Sequence, residues 1–322
     1  MDYAQALAQM PVLLYAGTAA LGLVIGSFLN VVILRLPRMM ERDWRQECAD
    51  LLADAADADA AASEQAPTRT PTQEPATGLA STTASNTASG AQTPLSLSKP
   101  GSSCPHCGHH IRPWENIPVV SFLLLRERCS SCGESISWRY PVIEVLTAVL
   151  SLVVIWQFGP TLQGAFALVL TWGLVALAAI DADTQLLPDD ITLPLLWLGL
   201  LLSIPALFVD SQTAVIGAAA GYMSLWLVFH LFRLLTGKEG MGRGDFKLLA
   251  LFGAWLGWQS LPQILLLSTI PGALFGIALV ASGHSERRAP IAFGPFLAIA
   301  GWISLVWGEA ITQAYLRWSG LA

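Results

Sequence analysis

The chain has 322 residues, 54% hydrophobic and 12% charged, with a formal net charge of −6. Soluble domains usually carry about 25% charged residues, and here the apolar residues fall in blocks long enough to cross a bilayer, which takes roughly 20 residues of helix. Those blocks exclude an ordinary soluble protein of two or three domains; the net charge says little about partners, because much of it lies in one acidic insert.

In chain order the apolar blocks run 11–34, 140–158, 162–180, 191–209, 214–235, 247–259, 262–281 and 291–312, the sixth being short. The first is too long for a signal peptide, and neither Lys nor Arg precedes it. Basic residues collect on the cytosolic side of short loops. With eight spans, the segments 35–139, 181–190, 233–247 and 282–290 lie on one side and hold sixteen of the seventeen Lys and Arg. Only Arg317 falls on the other. The expectation is an all-α membrane protein of about eight transmembrane helices, with a cytosolic zinc-binding module between helices 1 and 2 and both termini facing away from the cytosol.

The first span, within 1–34, contains Gly26-Ser27-Phe28-Leu29-Asn30 and exits through Arg35-Leu36-Pro37-Arg38. The cytosolic segment 35–139 follows. Its residues from about 52 to 98 are almost entirely Ala, Thr, Ser, Pro, Gln, Asp and Glu. Such a stretch buries too little apolar surface to offset its ordering entropy, so a disordered insert is expected, with a helical tendency near 46–62 where Ala is dense. Residues from about 99 to 139 form the module, 140–312 a seven-helix core, and 313–322 a tail.

The module contains a repeat. Cys104-Pro105-His106-Cys107-Gly108-His109-His110-Ile111 and Cys129-Ser130-Ser131-Cys132-Gly133-Glu134-Ser135-Ile136 share C-x-x-C-G-x-x-I, and Trp114 and Trp138 follow the two copies. Two CxxC pairs at this spacing suit a tetrahedral four-thiolate zinc site, closed and therefore structural. A glycine after each pair allows the tight knuckle its positive φ. Two disulfides are the competing reading, disfavoured in a reducing compartment. His106, His109 and His110 are alternative ligands, and Cys48 lies outside the repeat.

The acidic residues carry the most chemistry. Asp181 directly follows the third apolar block, in Asp181-Ala182-Asp183-Thr184-Gln185-Leu186-Leu187-Pro188-Asp189-Asp190. Asp245 directly precedes the sixth, in Gly240-Met241-Gly242-Arg243-Gly244-Asp245. An ionisable residue at such a boundary faces the bundle interior, because facing lipid is costly. Two carboxylates meeting there cannot both ionise easily, so the pair shares a proton. The ionised partner can then activate water while the protonated one donates to a peptide carbonyl. Gly240, Gly242 and Gly244 leave backbone bare for an extended substrate.

Blander roles compete. Asp189 and Asp190 stand where helix caps sit, and Asp183 is a loop carboxylate or a neighbour tuning Asp181. Glu144 lies inside the second block, a functional candidate by default, or else a partner for Arg139 or a cap for neighbouring backbone. His230 reads as a packing residue.

Together these motifs resemble the bacterial type IV prepilin peptidases, the leader peptidase/N-methyltransferases. The resemblance rests on G-S-F-L-N-V-V-I-L-R-L-P at 26–37, the paired CxxC repeat, W-E-N-I-P at 114–118, R-Y-P-V-I-E at 139–144, D-A-D-T-Q-L-L-P-D at 181–189 and G-x-G-D at 242–245. It implies catalytic aspartates Asp181 and Asp245, 64 positions apart, and zinc ligands Cys104, Cys107, Cys129 and Cys132. It further implies a bacterial inner-membrane aspartic endopeptidase, multi-pass and lipid-embedded, that removes the basic leader from prepilins and pseudopilins at the cytosolic face. S-adenosylmethionine-dependent methylation of the new N-terminal amine follows from the same resemblance, with its binding residues unassigned; no nucleic-acid partner is implied. Two features depart from the family: the 52–98 insert, and Glu127 where relatives usually show Gly, next to the methyl-transfer region. The alternatives are a peptidase without methylation, a proton-coupled transporter using Asp181, Asp245 and Glu144, and a zinc-module scaffold. A transporter would place its acids near mid-bilayer within inverted repeats, whereas here the acids lie at one edge.

Overall fold

The computed structural model describes residues 10–64, 96–97, 101–104, 106–238, 240–282 and 292–320. It is almost wholly helical: α1 (Pro11–Glu64), the short α2 (Val120–Leu124), α3 (Arg139–Phe158), α4 (Leu162–Thr184), α5 (Asp189–Leu202), α6 (Ser211–Thr236), α7 (Gly244–Leu256), α8 (Leu261–Ala281) and α9 (Gly294–Ser319). Among the described residues there is no strand, only two isolated bridges in the cysteine module. The chain divides into two compact units, one of Met1–Pro37 with Gly101–Ala322 and one of Arg38–Pro100. The described helix of the second unit is the later part of α1, reaching Glu64 across the Ala-dense stretch; residues 65–95 and 98–100 of the insert lie outside the described residues.

Among the described residues, six helices are long and apolar enough to cross a membrane: those of α1, α3, α4, α6, α8 and α9. The other two apolar helices, α5 with 14 residues and α7 with 13, rise only about 20 Å at 1.5 Å per residue, against a hydrocarbon core of about 30 Å. α5 ends earlier than the apolar run to 209 suggests. Pro205 has no N–H to give the Leu201 carbonyl, which accepts from Ile204 in a tighter turn instead.

Short helices survive here because longer ones enclose them. α7 packs against α5, α6, α8 and α9, and every residue from Leu248 to Trp255 is buried. A helix apolar all round belongs in such an interior. Small residues let its neighbours close in. A Cβ on Gly221 of α6 would stand 2.6 Å from the Leu249 carbonyl oxygen, and one on Gly217 would overlap Gly253 of α7. Gly22 and Gly26 of α1 repeat the device: a Cβ at either would meet the Cα of Ala148 or Glu144 at 2.6 Å. Indoles join helices by hydrogen bonds, half-buried Trp172 to Ser151 and Trp302 to Thr171, and buried Trp255 to the Leu195 carbonyl.

Candidate active site and metal cluster

The end of α4 and the starts of α5, α7 and α9 meet at one rim of the bundle. Asp181 lies in the last turn of α4; Gln185, in the left-handed conformation, closes that helix by donating its N–H to the Asp181 carbonyl. Asp245 is the second residue of α7. Each aspartate is only 5% exposed, although solvent lies one turn away. Asp181 lies within electrostatic reach of Asp245, although the two are 64 positions apart in the chain.

Backbone completes the setting. The N–H of Gly294, the first residue of α9, donates to Asp181 Oδ2 at 2.9 Å. That amide belongs to the first turn of α9, whose N–H groups have no intrahelical acceptor and favour negative charge. A Cβ at 294 would lie 2.6 Å from the same oxygen, so a side chain there would displace the carboxylate or the helix end. Gly294 escaped the sequence reading; the available signal was Phe293-Gly294-Pro295 at the mouth of the last apolar block.

The loop glycines divide in role. A Cβ on Gly244 would press on Leu187 and one on Gly240 on Phe232, each at 2.7 Å, so both serve packing within the chain. Only Gly242 has ordinary room, with Asp245 Oδ2 3.7 Å from its would-be Cβ.

Two ion pairs brace the rim, and both replace a sequence expectation. Asp189 does not cap α5, whose N-cap is Pro188. Its two carboxylate oxygens instead accept from Lys247 Nζ, each at 2.7 Å, tying the first turns of α5 and α7 together. Arg139 pairs with Asp183 rather than with Glu144, tying the start of α3 to the end of α4. Glu144 is buried and accepts the Val119 N–H at 2.8 Å and a hydrogen bond from Ser27. His230 packs on Trp226 and bonds its carbonyl, as a packing residue does.

In the module, Cys104, Cys107, Cys129 and Cys132 bring their sulfurs within 4.8 Å of one another. Cys104 and Cys132 stand 3.8 Å apart, Cys107 and Cys129 4.0 Å. Four thiolates about 2.3 Å from one tetrahedral ion would be separated by about 3.8 Å. The repeat is visible as two equal knuckles. In each, the first cysteine's carbonyl accepts from the glycine N–H and its own N–H donates two residues past the second cysteine. Gly108 and Gly133 take φ of 70° and 72°. The N–H groups of Cys107 and His106 hold the Cys104 thiol down to a pKa of about 7, while desolvation and the neighbouring thiols push Cys132 up to about 12. His109 is engaged with Glu115 and Ser130 and is no member of the cluster; Cys48 is exposed and also outside it. Trp138 packs edge-on against Phe122 of α2, and Arg112 lies over Trp114. Glu127 has φ 64°, the left-handed region glycine occupies at little cost.

Between the module and the first turns of α3 lies a cavity of about 390 Å³. Ser27, Asn30 and Arg35 of α1 and Tyr140 and Glu144 of α3 line its membrane side; His109, Glu115 and Phe122 are among the module residues around it.

The fold and site thus define a multi-pass helical membrane protein with a buried aspartate pair at one rim and a four-thiol cluster in a connecting module. Residues 20–158 match the bacterial Peptidase A24 N-terminal domain, and residues 168–277 match the type IV leader peptidase family. A prepilin leader peptidase/N-methyltransferase of Pseudomonas aeruginosa is 49% identical over 320 residues, covering 99% of this chain and 98% of its own. Similar proteins of the same name are 46% identical over 315 residues in Stutzerimonas stutzeri, covering 98% of both chains, and 48% identical over 308 residues in Aeromonas hydrophila, covering 95% of both. The chain belongs to the type IV leader peptidase family. No solved structure matches it.

Proposed function

We propose that this protein is a membrane aspartic endopeptidase that removes leaders from type IV prepilins and pseudopilins at the cytosolic face of the bacterial inner membrane, and then methylates the new N-terminal amine. What supports the peptidase reading is the burial of both Asp181 and Asp245 within electrostatic reach of one another, with the Gly294 N–H on Asp181.

The chemistry follows from that placement. Close together and away from bulk water, the two carboxyl groups share one proton and titrate as a unit. The ionised one takes a proton from a water molecule as it attacks the scissile carbonyl; the protonated one donates to the carbonyl oxygen. The Gly294 amide and the first turn of α9 favour negative charge on Asp181. The Asp189–Lys247 and Asp183–Arg139 pairs hold the converging helix ends in register. A prepilin's own apolar helix would lie in the lipid beside the bundle, its leader reaching the rim from the basic, cytosolic side.

Zinc is the metal the four thiolates suit: the sulfur separations fit a tetrahedral ion, and a four-cysteine set leaves no open position for substrate, so its role is to fold the module. S-adenosylmethionine is the methyl donor that the relatives' shared name implies, and it supplies an electrophilic methyl group on sulfur. The module cavity fits it in size, since small-molecule sites run about 300–1,000 Å³.

Mass spectrometry of a co-expressed prepilin tests both activities in one spectrum. Loss of the leader and the gain of one methyl group are expected. An intact prepilin beside correctly inserted protein would overturn the peptidase reading.

A further inference from the structure

We propose that Glu144 is the catalytic base of methyl transfer, and that the cavity it lines receives the processed pilin's amine together with the methyl donor. The proposal rests on the N-methyltransferase reading above and assigns a place and a residue to it.

Location comes first. Every residue lining the cavity falls between Ser27 and Glu144, inside the segment 20–158 that matches the N-terminal domain. Asp181 and Asp245 both fall inside 168–277, the separate leader peptidase match. Two activities in the relatives' name, two matched segments and two sites in the fold pair off naturally. The sites are also mechanically joined, because the Arg139–Asp183 pair ties the start of α3, one turn before Glu144, to the helix end that carries Asp181. An amine freed at the rim therefore has a short way to travel.

The charge of the cavity suits its proposed occupants. Glu115 and Glu144 line it against one arginine, Arg35. A sulfonium donor and a peptide ammonium are both cations. The apolar side chains of Phe122, Leu125 and Pro141 offer surface to an adenine ring and to an apolar first residue.

Glu144 is the group best placed to act. It is 7% exposed, and among the described residues its partners are hydrogen-bond donors rather than a cation: the Val119 N–H and Ser27. The one arginine on its own helix is engaged elsewhere, with Asp183. A buried carboxylate lacking an ion pair is expensive to keep. The donor on its other side is itself strained: Val119 has φ 60°, an outlier for a β-branched residue. Strain of this kind persists where the surroundings over-determine it, typically at functional sites.

The step balances simply. Glu144 first takes a proton from the ammonium, freeing the nitrogen's lone pair. That pair then forms a bond to the methyl carbon as the carbon–sulfur bond breaks, its electron pair staying on sulfur, and Glu144 returns its proton to solvent as the methylated ammonium leaves.

The test uses the full-length protein in detergent with a synthetic prepilin. Leader removal, methyl gain and photocrosslinking of radiolabelled S-adenosylmethionine are measured side by side. Glu144→Gln keeps an oxygen to accept the Val119 N–H but cannot take the proton. Its methylation should fall at least about 100-fold, the usual worth of a general base, with leader removal within about threefold of wild type. Ser121→Trp places an indole in the cavity and should abolish crosslinking while leader removal continues. Wild-type methylation by Glu144→Gln overturns the proposal, as does undiminished crosslinking by Ser121→Trp, or a parallel loss of cleavage in either variant. A wild-type protein that cleaves without methylating would instead overturn the N-methyltransferase reading itself.

Discussion

Replacing Gly294 by Ala probes the aspartate pair without touching either acid. The added Cβ would stand 2.6 Å from Asp181 Oδ2, about 0.9 Å short of an ordinary contact of about 3.5 Å. Either the carboxylate turns away or α9 backs off; both loosen the 2.9 Å hydrogen bond from the Gly294 amide. Misplacing a catalytic group by about 1 Å costs roughly 100-fold, or about 2.7 kcal/mol of transition-state stabilisation. Nothing else about the substitution should harm the protein, since alanine is the better helix former. Gly308→Ala, on the same helix, is the control: its Cβ would find only ordinary contacts, the nearer at 3.7 Å, and full activity is expected. Initial rates of leader removal on purified prepilin, normalised to enzyme amount, give the answer. If Gly294→Ala cleaves within about twofold of wild type, the α9 terminus does not hold Asp181 in its working position, and the argument from the 100-fold figure fails.

Other residues give sharp expectations. Cys104→Ser should lower bound zinc, measured by elemental analysis, from one per chain toward none, and should harm methylation and the module's protease resistance before it harms cleavage; Cys48→Ser should do neither. Glu127→Gly should relieve a left-handed residue and stabilise the module by about 1 kcal/mol, seen as a higher midpoint in limited proteolysis against urea; a lower midpoint would mean that the Glu127 side chain matters more than its backbone. Lys247→Ala removes a partly exposed ion pair worth about 0–1 kcal/mol, so cleavage should fall only a few-fold. The exchange Asp189→Lys with Lys247→Asp should recover most of that loss, and no recovery would assign Lys247 some other task.

Much of this site is legible in the sequence because its parts carry strong local rules. An aspartate directly after one apolar block and another directly before a second must face inward, and the structure buries both. The two C-x-x-C-G repeats fold as equal knuckles because each spells out its own turn, glycine included. What escapes is set by tertiary partners. Asp189 looks like a cap from its place after Pro188, yet Lys247, 58 residues away, claims it. Arg139 is close to Glu144 in sequence but reaches Asp183 on the next helix. Gly294 is silent in sequence, since its task is defined by an oxygen 113 residues earlier. The length of α5 is also misjudged, because hydropathy continues past Leu202 where Pro205 no longer allows the helix to do so.

The central claim is that one proton shared between Asp181 and Asp245 drives leader cleavage, and Asp→Asn at each position tests it most directly. Asn keeps the size and one oxygen, so the bundle should insert normally, but it can neither ionise nor share a proton. Rates of leader removal by the two variants, measured on the same purified prepilin, should both fall by at least about 10⁴-fold, approaching the background. A variant at either position that still removes the leader at a rate near wild type would contradict the account.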